Sequence, residues 1–153
     1  KNENSIKFDQ DLKSKTMRNL NNILLIDDDK NTNLLNTLVI KSINPSIKID
    51  LATDGEQALN ALIEMTKNKN LPDLILLDIN MPKLNGWELL DKFKQELNQE
   101  PQTNIIVLSS SSNPNDFRKI KNYSCVKHFE EKPLTKTKMN NIINTFHQEF
   151  ASE

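Results

Sequence analysis

The sequence predicts an α/β protein: an open, doubly wound sheet of five parallel strands with five helices. Two observations carry that expectation. Short apolar runs alternate with segments whose apolar residues recur at helical spacing, in five successive pairs joined by short connections. Such alternation implies parallel strands, right-handed crossovers and helices on both faces. The run Leu74-Ile75-Leu76-Leu77 is apolar at four consecutive positions, as a strand buried on both faces must be. Five strand–helix units are too few to close the eight-stranded barrel, so the sheet is open.

Taken in order, residues 1–20 are polar and rich in Lys and Asn, with only Ile6, Phe8 and Leu12 as scattered apolar positions, and read as a flexible arm. Residues 21–150 form the folded domain. Asn22 to Ile26 is the first strand, ending in Asp27-Asp28-Asp29. Leu34, Leu35, Leu38, Val39 and Ile43 follow at helical spacing, closed by Asn44-Pro45. Ile47, Ile49 and Leu51 alternate with polar residues, the mark of an edge strand with one exposed face. Asp54-Gly55 opens a helix carrying Ala58, Ala61, Leu62 and Met65. After the central strand, Leu89, Leu90, Phe93 and Leu97 define a third helix, stopped before Pro101. Asn104 to Leu108 is the fourth strand, ending in four serines, Ser109 to Ser112. Asn113-Pro114 starts a short helix with Phe117 and Ile120. Cys125 to Phe129 is the fifth strand, followed by Glu130-Glu131-Lys132-Pro133. Met139, Ile142, Ile143, Phe146 and Phe150 form the stripe of the last helix.

Composition removes several function classes. With 20 basic and 21 acidic residues, no bulk charge favours nucleic acid or an anionic membrane. The single Cys125 cannot make an internal disulfide, which fits a reduced, cytoplasmic setting. No apolar run reaches membrane-spanning length, and no signal-peptide pattern is present. Met17, just ahead of the first strand, is a plausible natural start.

The chemistry is expected at one edge. In a parallel sheet the carboxyl ends of the strands converge, and open α/β sheets bind ligands there. That edge collects Asp27, Asp28 and Asp29 from the first strand, Asp78 from the third, Ser109 from the fourth and Lys132 from the fifth. Clustered carboxylates repel unless a cation joins them. An all-oxygen set suits Mg²⁺, and there is no Cys/His cluster to favour zinc. A metal, a lysine and a hydroxyl around one aspartate are the parts that phosphoryl transfer to a carboxylate needs. Each residue alone has a plainer reading. Asp78 could cap a helix, the acidic triplet could serve a helix dipole, Lys132 could be a solvated charge, and the serines could be loop. Their joint placement at four strand ends is what favours the site.

Four motifs also carry a resemblance: Ile23-Leu24-Leu25-Ile26-Asp27-Asp28-Asp29, Leu76-Leu77-Asp78 through Met81-Pro82 to Gly86, Ile106-Val107-Leu108-Ser109-Ser110, and Glu131-Lys132-Pro133-Leu134. In this order and spacing the chain resembles the receiver domain of two-component response regulators, similar to the single-domain chemotaxis type, over about residues 20–150. The resemblance implies a flavodoxin-like fold with strand order 2-1-3-4-5. It implies that Asp78 accepts a phosphoryl group from a histidine kinase or phosphotransfer protein. Asp27, Asp28, Asp78 and the Asn80 carbonyl would hold Mg²⁺, while Lys132 would pair with Asp78 and then with the phosphoryl oxygens. Ser109 and Phe129 would form the switch, the Lys132-Pro133 bond would be cis, and the fourth helix, fifth strand and fifth helix would meet an output partner protein. It implies a signalling module rather than an enzyme, assisting only its own phosphorylation and dephosphorylation. Ser109 replaces a frequent Thr, Phe129 lacks the hydroxyl of a switch Tyr, and Glu130 stands where the family usually has an apolar residue.

Two other readings compete. A pseudo-receiver would use the same fold as an adaptor without phosphorylation; the intact Asp28, Asp78, Ser109 and Lys132 argue against it. An aspartyl-phosphate hydrolase of the haloacid dehalogenase type looks for a second Asp two residues after the nucleophile, and position 80 here is Asn.

Overall fold

The computed structural model describes residues 19–99, 101–110 and 113–148. Most of the expected arm, together with Ser111, Ser112 and Phe150, lies outside those residues. The elements are β1 (Asn22–Ile26), α1 (Lys30–Ile43), β2 (Lys48–Ala52), α2 (Gly55–Lys67), β3 (Leu74–Leu77), α3 (Gly86–Leu97), β4 (Asn104–Ser109), α4 (Pro114–Lys119), a 3-10 turn (Ile120–Asn122), β5 (Val126–Glu131) and α5 (Lys136–Gln148). The five strands form one parallel sheet in the order β2-β1-β3-β4-β5, as the sequence implied. Among the described residues no helix is long and apolar enough to cross a membrane.

Successive strand residues point to opposite faces, and each face has its own core. Leu24, Ile26, Ile75, Leu77, Ile105 and Val107 pack with Ala58 and Leu62 of α2 and Leu89, Leu90 and Phe93 of α3. Ile23, Leu25, Leu74, Leu76, Ile106 and Leu108 pack with Ile40 of α1 and Met139, Ile142 and Phe146 of α5. Every residue of β3 and β4 is buried, which explains their unbroken apolar runs.

The helices start where the sequence supplies caps. Asp29 caps α1, Asp54 caps α2, and Asn85 with Glu88 makes a reciprocal capping box on α3. Asn113 caps α4 ahead of Pro114. Both glycines sit where a side chain would collide. A Cβ on Gly86 would lie 2.8 Å from Ile79 Cα and 3.0 Å from the Asp78 carbonyl; one on Gly55 would lie 2.7 Å from the Leu84 carbonyl. α2 and α3 therefore press directly on the loop that leaves β3.

Three expectations are corrected. Leu34, Leu35 and Leu38 are not the core face of α1; they are 57%, 61% and 57% exposed, and Asn33, Asn36 and Ile40 point inward instead. The cause is polar: Asn33 Nδ2 donates to the carbonyls of Asp27 at 3.0 Å and Ala52 at 3.4 Å, closing the ends of β1 and β2. Leu51 is likewise exposed on edge strand β2, and Phe117 lies on the surface of α4. β5 starts one residue later than expected and continues through Glu131, because the last residue of β4, Ser109, pairs with it. A register shift opposite Ile105 and Ile106 absorbs the extra residue between Val126 and His128. Glu130 is tolerated there because it is half-buried and lies 3.8 Å from the Lys138 ammonium.

Candidate functional site

The carboxyl edge of β1, β3, β4 and β5 brings together the residues expected there. Asp27 and Asp78 follow β1 and β3 directly, and their amides are fixed by carbonyls of neighbouring strands: Asp27 N–H to Ala52 at 3.1 Å and Asp78 N–H to Ile26 at 2.9 Å. Ladder bonds thus hold both carboxylates on rigid backbone. Asp27 and Asp78 are buried, and Asp28 is exposed. Asp27, Asp28 and Asp78 each present a carboxylate oxygen within 4.8 Å of the others. Asp29, the remaining member of the triplet, turns away to cap α1; the amides of Asn31 and Thr32 hold its carboxyl below the usual range.

Lys132 is the counter-charge. Its ammonium lies 2.6 Å from Asp27 Oδ2 and 3.4 Å from Asp78 Oδ2. Lys132 directly follows β5, and the Lys132-Pro133 bond is cis. Burial works against the ammonium, but the hydrogen bond to Asp27 and the charge of Asp78 outweigh it and lift its pKa above the ordinary value. Burial pushes the Asp78 carboxyl up, opposed by the Asn80 amide and by Lys132, with the Asp27 charge adding to the rise. Asp78 Oδ1 accepts the Asn80 amide at 3.0 Å. Asp78 is thus a desolvated carboxylate held in place from both oxygens.

Ser109 is fully buried at the end of β4, and its Oγ accepts from Asn80 Nδ2 at 2.9 Å. Its carbonyl accepts the Lys132 amide at 3.0 Å, so this residue links the lysine strand to the aspartate loop. Phe129 is half-buried on β5, packed against the α2–α3 core and edge-on to Phe117, with centroids 6.0 Å apart. Sequence reasoning missed two things here. The Asn80 side chain reaches Ser109, where only its carbonyl was considered. Trp87, buried on α3, donates Nε1–H to Asp116 Oδ1 at 3.2 Å. Neither is a spacing motif; the weak signal was an aromatic directly after the helix-opening Gly86.

The donor set is all oxygen, with two buried carboxylates and one exposed, and could hold a hard divalent cation. A solvent-facing hollow of about 520 Å³ lies alongside, lined by Asp28, Thr53, Asp54, Pro82, Lys83 and Lys92 among others.

Comparison with known proteins agrees with this fold. A family model described as the response regulator receiver domain matches residues 23–144. The transcriptional regulatory protein CpxR of Klebsiella pneumoniae is 40% identical over 92 residues, 60% of this chain and 34% of that protein. This chain therefore spans about a third of such a relative. Response regulator Rcp1 of Synechocystis is 35% identical over 98 residues, covering 61% and 65% of the two chains. A two-component response regulator from Cytophaga hutchinsonii has a crystal structure that matches with a TM-score of 0.75 at 39% identity, covering 84% of this chain and 97% of that one. The chemotaxis protein CheY4 of Vibrio cholerae shares the fold, with a TM-score of 0.66 at 19% identity over 82% and 98% of the chains.

Proposed function

The chain belongs to the response regulator receiver domain family, and from that premise we propose that it is a phosphorylation-switched signalling module whose acceptor is Asp78. The observation that carries this reading is the position of Asp78, buried at the end of the central strand with the Lys132 ammonium 3.4 Å from its Oδ2. An Asp78 carboxylate oxygen attacks the phosphorus of a phosphohistidine on a histidine kinase or phosphotransfer protein. A P–O bond forms and the P–N bond breaks. Its electron pair leaves with the imidazole nitrogen, which takes a proton from water. Lys132 offsets charge on the phosphoryl oxygens, and the rigid strand end holds the carboxylate for in-line attack.

The residues fit Mg²⁺, which Asp27, Asp28, Asp78 and the Asn80 carbonyl would hold and which would neutralise charge on the phosphoryl group. The phosphodonor protein lands on the exposed Leu34, Leu35 and Leu38 face of α1, a helix that opens directly after the acidic cluster. The output is a change of the α4–β5–α5 surface, where Phe117 and Phe129 sit, read by a protein partner rather than by nucleic acid or membrane. The module turns over no separate substrate.

The test is intact mass after incubation with acetyl phosphate. One Mg²⁺-dependent phosphate adduct is expected, and Asp78→Asn should abolish it. An undiminished adduct in that variant refutes the assignment; no adduct in the wild type favours a phosphorylation-independent adaptor.

A further inference from the structure

None of the six residues of α4, Pro114–Lys119, is buried. So short a helix has little stability of its own and depends on what it is fastened to. Much of that fastening converges on Trp87, the second residue of α3. Its indole Nε1–H donates to Asp116 Oδ1 at 3.2 Å, and the Lys119 ammonium lies 6.0 Å from the ring centroid. Tyr123, just past the 3-10 turn, stacks on the same indole with centroids 5.2 Å apart and planes 22° apart. The Tyr123 hydroxyl then donates to Asp91 Oδ1 at 2.8 Å, one turn further along α3. On its other side α4 meets β5 through Phe117 and Phe129. The neighbour of Trp87, Gly86, is tied to the acceptor loop by its amide, which donates to the Ile79 carbonyl at 3.1 Å.

We propose that Trp87 is a latch that holds α4 in its unphosphorylated position and that a phosphoryl group on Asp78 works against it. This rests on the reading of Asp78 as the acceptor. Ser109 and Phe129 lie on the same face of the paired strands β4 and β5, so a Ser109 that turns from Asn80 toward a phosphoryl oxygen releases the ring that packs on Phe117 of α4. The indole hydrogen bond falls off steeply with distance and angle, so a displaced α4 loses it. An interaction present in one state only is returned, by linkage, as lower affinity for whatever favours the other state.

Trp87 is the chain's one tryptophan, so its emission reports on the latch directly. Beryllofluoride with Mg²⁺, or acetyl phosphate with Asp78 loading followed by intact mass, should shift the emission and raise acrylamide quenching. Trp87→Phe keeps a ring but removes the N–H, and Asp116→Ala removes the acceptor from a half-buried position on α4, with native fold verified by circular dichroism. Both should raise apparent beryllofluoride affinity by about three- to tenfold. Asp116→Asn, which retains an acceptor oxygen, should restore near wild-type behaviour. Loading at Asp78 with unchanged emission, or Asp116→Ala that loads like the wild type, overturns the latch alone. A chain that takes up no phosphoryl group or beryllofluoride in any form removes the acceptor reading and the latch with it.

Discussion

Asp27 and Asp28 are adjacent in sequence but meet different surroundings. Asp27 is 3% exposed, accepts the Asp29 amide at 2.9 Å and holds the Lys132 ammonium at 2.6 Å. Removing it leaves the partly buried ammonium with Asp78 alone, at 3.4 Å, and takes the acceptor from the Asp29 amide, a loss of the order of a buried hydrogen-bond partner. Asp28 is exposed and adds negative charge to the cluster, with no hydrogen bond or ion pair of its own among the described residues. Asp27→Ala is therefore expected to lower the unfolding free energy by about 1–3 kcal/mol. Asp28→Ala should leave metal-free stability unchanged or raised while weakening Mg²⁺ binding about tenfold or more. Urea melts in EDTA, paired with calorimetric Mg²⁺ titration, separate the two. An Asp28→Ala protein that is clearly less stable without metal yet binds Mg²⁺ normally would make this carboxylate structural. That the strand-end residues meet was legible in the sequence, since parallel topology brings all carboxyl ends to one edge. The division of labour between the two aspartates was not, because it is set by a lysine 105 residues away.

At the scale of elements, α1 shows where periodicity stops being informative. Leu34, Leu35 and Leu38 mark an apolar face, and spacing alone does not say whether that face meets the sheet or a partner. Asn33, Asn36 and Ile40 recur at helical spacing too, but a polar pair is discounted when apolar residues compete. The decision came from the carbonyls of Asp27 and Ala52, which accept from the Asn33 side chain, a pairing only the assembled sheet reveals. Strands β3 and β4 were legible because burial on both faces leaves no other composition for them. The consequence is a sharp contrast between neighbours in α1. Leu38→Glu should change stability by no more than about 0.5 kcal/mol, as for a surface site. Ile40→Ala should cost about 2–5 kcal/mol, as for a buried one. If the leucine face receives the phosphodonor protein, Leu38→Glu should also slow transfer from that protein while leaving loading by acetyl phosphate unaltered. Equal transfer from both donors would place the docking surface elsewhere.

For the molecule as a whole, the question is how a group on Asp78 is felt at the α4–β5 face. Ser109 touches both the loop that follows Asp78 and the end of β5. Its Oγ accepts from Asn80 at 2.9 Å, and its backbone pairs with Glu131 and receives the Lys132 amide. A phosphoryl group on Asp78 would add charge and acceptor oxygens beside it. The Ser109 hydroxyl would then gain a charge-assisted hydrogen bond that only the loaded state offers. Such a bond contributes about 1.5–3 kcal/mol, enough for a population bias of roughly ten- to a hundredfold. The space Ser109 leaves is one that Phe129, half-buried and packed edge-on to Phe117, is placed to enter. With no hydroxyl to desolvate, the ring moves inward without stranding a polar group, so its resting position is only weakly held. Loading should therefore change amide exchange in α4 and β5 of the wild type. Ser109→Ala should still take up a phosphoryl group, because Asp78, Lys132 and the acidic cluster are untouched. Its exchange change in α4 and β5 should nevertheless fall at least about threefold, since the bond that biases the two states is gone. Hydrogen–deuterium exchange on protein whose loading is verified by intact mass reads this directly. A loaded Ser109→Ala protein with the full wild-type exchange change would show that the signal leaves Asp78 by a route that bypasses Ser109, such as the Ile79–Gly86 tie into α3.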